Sequence, residues 1–166
     1  MTQAGKTMVF EKARRAPGVR LIIPSEGKIL LSKEERHETG GYDYRLPGGK
    51  VIDKLADYNA ALASGVDMQE AAKEAAVREA REEMGLLVNA SDLSFFHKSV
   101  CGTTVEWDLY YFVVAAHIKT EQEREDGEDI TALAFDRETA KTMCLDGSMS
   151  EERSALVLLK YLTSAA

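Results

Sequence analysis

Three glutamates near the middle of the chain, Glu79, Glu82 and Glu83, are spaced i, i+3 and i+4. On a helix that spacing puts all three carboxylates on one face. Like charges so placed weaken an isolated helix by about 0.2–0.5 kcal/mol per pair. A sequence that breaks a local rule within one turn usually gains something elsewhere. A hard divalent cation is the simplest gain. Mg²⁺ and Mn²⁺ take oxygen ligands, and Mg²⁺ typically sits between carboxylates and substrate phosphates. The run Arg78-Glu79-Ala80-Arg81-Glu82-Glu83 also fits a solvated helix face laced with ion pairs. The turn at 46–51, Leu-Pro-Gly-Gly-Lys-Val, shifts the balance toward a site. A Gly-Gly pair after a short strand lets backbone amides and carbonyls approach a ligand closely.

The glutamates need a helix to hold them, and the sequence supplies one over Asp67–Met84. Asp67, with Glu70 three residues on, fits a capping box, and Gly85 is a C-terminal stop. Val77, Ala80 and Met84 form one apolar side. Ala72, Ala75 and Ala76 lie on the carboxylate side, small enough for the glycine turn to approach, although alanine is also simply a good helix former. Strands are expected at Thr7–Glu11, Gly18–Pro24, Lys28–Ser32, Tyr44–Leu46, Leu93–Val100, Val105–His117 and Ile130–Phe135. Ser25-Glu26-Gly27 reads as a hairpin turn. The charged, Gly-rich segment Lys33–Tyr42 reads as a loop, and Glu121–Asp129 as an acidic loop. Helices are expected over Arg137–Cys144 and Ser150–Leu162. Strands on both sides of one helix, followed by two more helices, give an α+β layout.

The chain has 166 residues, enough for one domain with a sizeable core. Its net charge of −7 argues against sequence-independent nucleic-acid binding, which needs a basic footprint. A phosphate substrate stays compatible with that charge, because a bound divalent ion supplies positive charge locally. Cys101 and Cys144 are far apart and read as free thiols in a reducing compartment. The opening Met-Thr-Gln-Ala-Gly-Lys has no apolar run, so no signal peptide is expected. The apolar stretch around Leu109–Ala116 is a strand's length, too short for a membrane span. A cytoplasmic protein without a membrane partner is expected.

Residues 78–86 resemble the signature of the Nudix hydrolases, Gly-x5-Glu-x7-Arg-Glu-U-x-Glu-Glu-x-Gly-U, where U is aliphatic. Arg78, Glu79, Glu82, Glu83, Gly85 and Leu86 fit it, Ala80 fills a U position, and Glu70 stands at the required distance before Arg78. The resemblance covers roughly Gly18 to Leu162 and implies a helix–sheet–helix sandwich with a mixed central β-sheet, in a chain whose length reads as a single domain over residues 1–166. It implies Mg²⁺- or Mn²⁺-dependent hydrolysis of a pyrophosphate in a small nucleotide. Glu79, Glu82 and Glu83 would be the metal ligands, with the Gly48 carbonyl completing the shell. Arg78 would serve catalysis without touching substrate, by pairing with Glu70 and holding loop to helix. Glu74, four residues before Arg78, is a rival partner. In the ADP-ribose pyrophosphatase branch an acidic loop precedes the last strand, as Asp126-Gly127-Glu128-Asp129 does here. That makes Glu128 the expected general base, with Asp126 and Glu125 behind it. Any of these could equally be a solvated turn residue.

The strand, short helix and final helix after Asp129 also resemble that branch, whose substrates are ADP-ribose and nucleotide sugars and whose product is a nucleoside monophosphate. Many relatives there are dimers. Nucleoside triphosphates or dinucleoside polyphosphates are the alternative substrates, and a nucleotide-sensing module without catalysis is the alternative of another class. Arg20, Arg45 and Glu106 are the candidate substrate contacts, each equally at home in a surface ion pair or facing solvent. Tyr42, Tyr44 and Trp107 could stack on a base or fill the core. The chain departs from the family pattern twice. Twenty residues, not five, separate Gly49 from Glu70, so Ile52–Ser64 reads as an insertion with a turn or two of helix: a lid, an oligomer contact, or inert. The proline typical of ADP-ribose pyrophosphatases beyond the box is missing, where the chain reads Val100-Cys101-Gly102-Thr103.

Overall fold

A computed structural model describes residues 2–3, 6–7, 9–36, 40–123 and 130–164. In chain order the strands before the glycine turn are β1 (Thr2–Gln3), β2 (Lys6–Thr7), β3 (Ala13–Arg14), β4 (Gly18–Ser25), β5 (Lys28–Arg36) and β6 (Gly41–Arg45). Helices α1 (Leu55–Ser64) and α2 (Met68–Met84) follow. Then come β7 (Leu86–Leu87), β8 (Leu93–Ser99), β9 (Val105–Glu106), β10 (Leu109–Val114), β11 (Ile118–Lys119), β12 (Ile130–Asp136), α3 (Arg137–Leu145) and α4 (Glu152–Ser164).

The central sheet runs β12-β5-β4-β10-β8, with β6 also paired to β5. Only β10 and β4 run parallel within it; the other pairings are antiparallel, so the sheet is mixed. Alternation along β4 and β10 assigns the two faces. Val19, Leu21 and Ile23 join Tyr110, Phe112 and Val114 in a core beneath α2, where Ala72, Ala75, Ala76 and Ala80 pack. Ile22, Leu109 and Tyr111 face the other way, into a core with Ala155, Val157, Leu158 and Leu162 of α4. The expected sandwich is present.

Local chemistry explains the details. Glu26 (φ 50°) and Gly27 (φ 78°) both take positive φ between paired Ser25 and Lys28, the pattern of a type I′ hairpin turn. Asp67 caps α2 by accepting from the Gln69 and Glu70 amides. Several expectations need correcting. Val9–Lys12 has no regular structure, so the strand expected at Thr7–Glu11 is absent over Val9–Glu11. The loop expected from Lys33 is largely strand. β5 continues to Arg36 with β12 on one edge and, past Leu30, β6 in place of β4 on the other. Two ladders at once hold residues whose charge alone suggested a loop. The strand expected at Val105–His117 is interrupted between β9, which pairs with β3, and β10. The three alanines expected to face the glycine turn instead join Ala80 and Met84 against the sheet, while Val77 is only half-buried. The insertion forms α1, a ten-residue helix with no buried residue.

The assignment of α4 makes a direct prediction. Leu158 is fully buried and Leu156, on the same helix, is 54% exposed. Leu158→Ala should cost about 2–5 kcal/mol, whereas Leu156→Ala should cost less than about 0.5 kcal/mol, both read by urea unfolding.

Candidate active site

The glycine turn occupies the edge of β4 that β5 leaves uncovered. The Leu21 amide donates to the Pro47 carbonyl (2.8 Å), the Val19 amide to Gly49 (3.0 Å), and the Val51 amide to Pro17 (3.0 Å). Backbone groups that would otherwise be buried without partners are thereby satisfied. The two glycines are required for different reasons. Gly48 has φ 139°, and a Cβ there would overlap the Val19 carbonyl. A Cβ at Gly49 would lie 2.6 Å from both carboxylate oxygens of Glu79. The turn therefore meets α2 with no room for a side chain between them.

Glu79 and Glu83 are buried at the margin of the α2 core face, and Glu82 is half-exposed. Glu83 accepts from the Gly48 amide at 2.8 Å. Burial pushes its carboxyl up to about 8, with the charges of Glu34 and Glu79 adding and the Gly48 amide and Arg20 opposing. Burial also raises Glu79, against the pull of Arg78. Arg78 donates to the Lys50 carbonyl (2.9 Å) and to Glu79 (2.8 Å), and its Nε lies 3.4 Å from Glu82. Together Gly49, Lys50, Asp53, Arg78, Glu79, Glu82 and Glu83 line a cleft of about 320 Å³. Among the described residues, no three carboxylate, imidazole or thiol groups converge tightly enough to grip an ion. The contacts show why: the Arg78 guanidinium takes Glu79 and Glu82, and the Gly48 amide takes Glu83. The donor set itself, all oxygen and rich in carboxylate, fits a hard divalent cation.

From the other face of the sheet, Arg20 reaches the same turn. Its Nη1 donates to the Gly48 carbonyl (2.8 Å) and to Val19 (3.0 Å), while its Nε donates to Glu151 (2.9 Å). Ser154 donates to Glu151 at 2.6 Å and lies 3.2 Å from the Tyr111 hydroxyl. Burial works against charge on both partners. The Glu151 contact nevertheless keeps Arg20 charged, and Arg20 with Ser154 holds the Glu151 carboxyl below its usual range.

The structure relocates several residues singled out from sequence. Arg78 meets Glu79 and Glu82 rather than Glu70 or Glu74, because the Lys50 carbonyl draws it toward the turn. The Gly48 carbonyl faces Arg20, and it is the Gly48 amide that meets a site carboxylate. Arg20 is buried in its ion pair, away from the carboxylate cleft. Glu106 pairs with Lys12 (3.0 Å) and Arg14 (2.6 Å), and Arg45 with Asp43 (2.6 Å). Tyr44 packs edge-on against Phe135, Lys33 covers the exposed Tyr42 ring, and Trp107 carries two guanidiniums. Glu125, Asp126 and Glu128 lie outside the described residues.

Sequence reading missed Glu34, whose charge acts on Glu83, and Lys50 and Asp53, which line the cleft. Strand alternation would have found Glu34. Leu30, Ser32 and Glu34 share one face of β5, and Leu30 packs against the α2 core.

The chain belongs to the NUDIX domain family, whose model matches residues 12–150. Among solved structures it is similar to an ADP compounds hydrolase, at 19% identity over 90% of this chain and 74% of that one, with a TM-score of 0.67. It is also similar to the E. coli ORF135 protein, at 19% identity over 79% of each chain, with a TM-score of 0.53. A MutT NUDIX hydrolase from Burkholderia pseudomallei shares 21% identity over 76% of this chain and 86% of that one, with a TM-score of 0.52. At such identities these likenesses establish the fold. No curated protein matches the chain. Among the described residues no helix is long and apolar enough to cross a membrane.

The raised Glu83 carboxyl has a consequence for stability. An unfolded chain releases this proton near 4.5, whereas the folded chain keeps it up to about 8. The stabilisation is therefore fully present below pH 4.5 and is lost as pH rises through about 8. With divalent ions chelated, the wild-type melting temperature should fall across that window, and Glu83→Gln should flatten the fall. Parallel curves for the two proteins would contradict the assignment.

Proposed function

We propose that this protein hydrolyses the pyrophosphate bond of a nucleoside diphosphate linked to a second moiety, releasing a nucleoside monophosphate. The observation that carries this reading is the meeting of the glycine turn with Glu79 and Glu83, which puts oxygen donors at the mouth of a polar cleft. Membership of the NUDIX family supports hydrolysis of a small nucleotide. The similar solved structure described as an ADP compounds hydrolase supports ADP-ribose or an ADP-sugar as the substrate class. The α3–α4 tail resembles the same branch.

Glu79, Glu82 and Glu83 would hold Mg²⁺ or Mn²⁺. Such an ion supplies neutralisation of phosphate charge and activation of water. The protein's own residues do the rest. Arg78 ties α2 to the turn through Lys50, and it now holds the Glu79 and Glu82 oxygens that would serve a cation. Burial of Glu79 and Glu83 opposes their ionisation, so cation binding and proton release are coupled at this site. Lys50 lines the cleft, placed to orient a phosphate. Glu128 is our candidate general base from its place two residues before β12, with Asp126 behind it.

The test is a panel of ADP-ribose, nucleotide sugars, nucleoside triphosphates and dinucleoside polyphosphates, incubated with Mg²⁺, with products identified by chromatography. ADP-ribose or an ADP-sugar should yield AMP, and Glu83→Gln should slow that release by about a hundredfold or more. If the wild-type protein releases no nucleoside monophosphate from any member, it is a binding module and the proposal fails.

A further inference from the structure

A second polar cavity opens on the α4 side of the sheet, at the end where the glycine turn lies. It measures about 520 Å³ and is lined by Arg15, Arg20, Arg45, Trp107, Ser150 and Arg153, together with Glu151 and Glu152. Two of its four arginines are already matched, Arg20 by Glu151 and Arg45 by Asp43. Arg15 and Arg153 are different. Among the described residues neither forms an ion pair with a carboxylate. Both guanidiniums lie over Trp107 instead, 4.5 Å and 4.4 Å from the ring centroid. Arg153 Nη1 donates to the Trp107 carbonyl at 2.8 Å, but Nη2 is buried with no hydrogen-bond partner. A buried donor left unsatisfied is costly, because it has given up water without gaining a partner. Glu152, exposed, is the one further acid on the rim.

This cavity and the carboxylate cleft each share lining residues with a third pocket. Arg15 also lines that pocket, with Arg14, Ala16 and Leu55, and the pocket shares Lys50 and Asp53 with the cleft. Lys50, Arg14 and Arg15 line these neighbouring pockets, with Asp53 among them and Arg14 already paired to Glu106.

We propose that Arg15 and Arg153, held by Trp107, bind a phosphomonoester that the substrate carries away from its pyrophosphate. The substrate class is then a nucleoside diphosphate compound with an additional terminal phosphate. Guanidiniums suit this role because their planar donors match phosphate oxygens in pairs. Trp107 fixes their orientation through cation–π contact without neutralising them. The inference rests on the pyrophosphatase reading, but binding tests it separately from turnover.

The first measurement is calorimetric, in chelator and without catalysis. Adenosine 2′,5′-bisphosphate should bind wild-type protein at least tenfold more tightly than AMP. Arg15→Met and Arg153→Met should each remove most of that difference, while Arg153→Lys restores part of it. Lys141→Met, on α3, should leave it unchanged. Arg15 is exposed, so its substitution should not disturb folding, and a melting curve checks this. The second measurement compares kcat/KM for NADPH and NADH, which differ by one phosphate. Preference for NADPH should appear in KM and vanish in the same two variants, with kcat within twofold. Equal binding of the two nucleotides by wild-type protein, or equal loss of both in the variants, overturns the inference. If no substrate is hydrolysed yet the binding difference stands, it is the hydrolase reading that fails.

Discussion

The buried ion pair between Arg20 and Glu151 is the contact on which the site depends. Arg20 enters from β4, Glu151 from the residue before α4, and the guanidinium's remaining donors close on the Gly48 and Val19 carbonyls. Taking two charges out of water is costly, and such a pair is tolerated only when its hydrogen-bonding capacity is well satisfied. Here Ser154 and Tyr111 extend the network into the second core. The return on that arrangement is positional. It pins one side of the Gly48 peptide from the α4 layer, while the amide on the other side meets Glu83 on α2. A single residue of the turn thus couples both layers of the sandwich to the carboxylate cluster.

The cluster itself works against local stability. Three carboxylates share one helix face, two of them are buried, and Glu34 adds a fourth charge from β5. Within the chain this repulsion is relieved only in part, by Arg78, by the Gly48 amide and, from the other layer, by Arg20. A divalent cation would relieve it more fully, which is why the arrangement reads as a site rather than as ordinary helix surface. The alanines of α2 make the close approach possible. They allow the helix to lie near the sheet, so that Glu79 and Glu83 reach the turn.

Much of this was legible in the sequence, because the relevant signals are short in range. The helix spacing of Glu79, Glu82 and Glu83, the Asp67 cap and the glycine pair each depend on neighbours a few residues apart. Spacing gave no more than an α+β layout, and the sandwich was implied by the resemblance to the Nudix hydrolases. What sequence could not show were contacts set by tertiary pairing. Arg20 reads identically whether it meets solvent, substrate or Glu151, and 131 positions separate that pair. Arg78 had two plausible acids behind it and took two ahead of it, since the Lys50 carbonyl decided its direction. Glu34 was obscured by a charged stretch that two neighbouring strands nevertheless hold extended. The cavity around Trp107 joins residues from four separate parts of the chain, and no spacing rule connects them.

The Arg20–Glu151 pair holds the site in shape from the opposite layer. Mn²⁺ binding, followed by electron paramagnetic resonance, tests it in a protein with both charges removed together, Arg20→Met with Glu151→Leu. Removing the pair avoids leaving either charge buried alone. The double variant should fold and should bind Mn²⁺ about tenfold or more weakly, although neither residue lines the carboxylate cleft. A folded double variant that binds Mn²⁺ within twofold of wild type would contradict it.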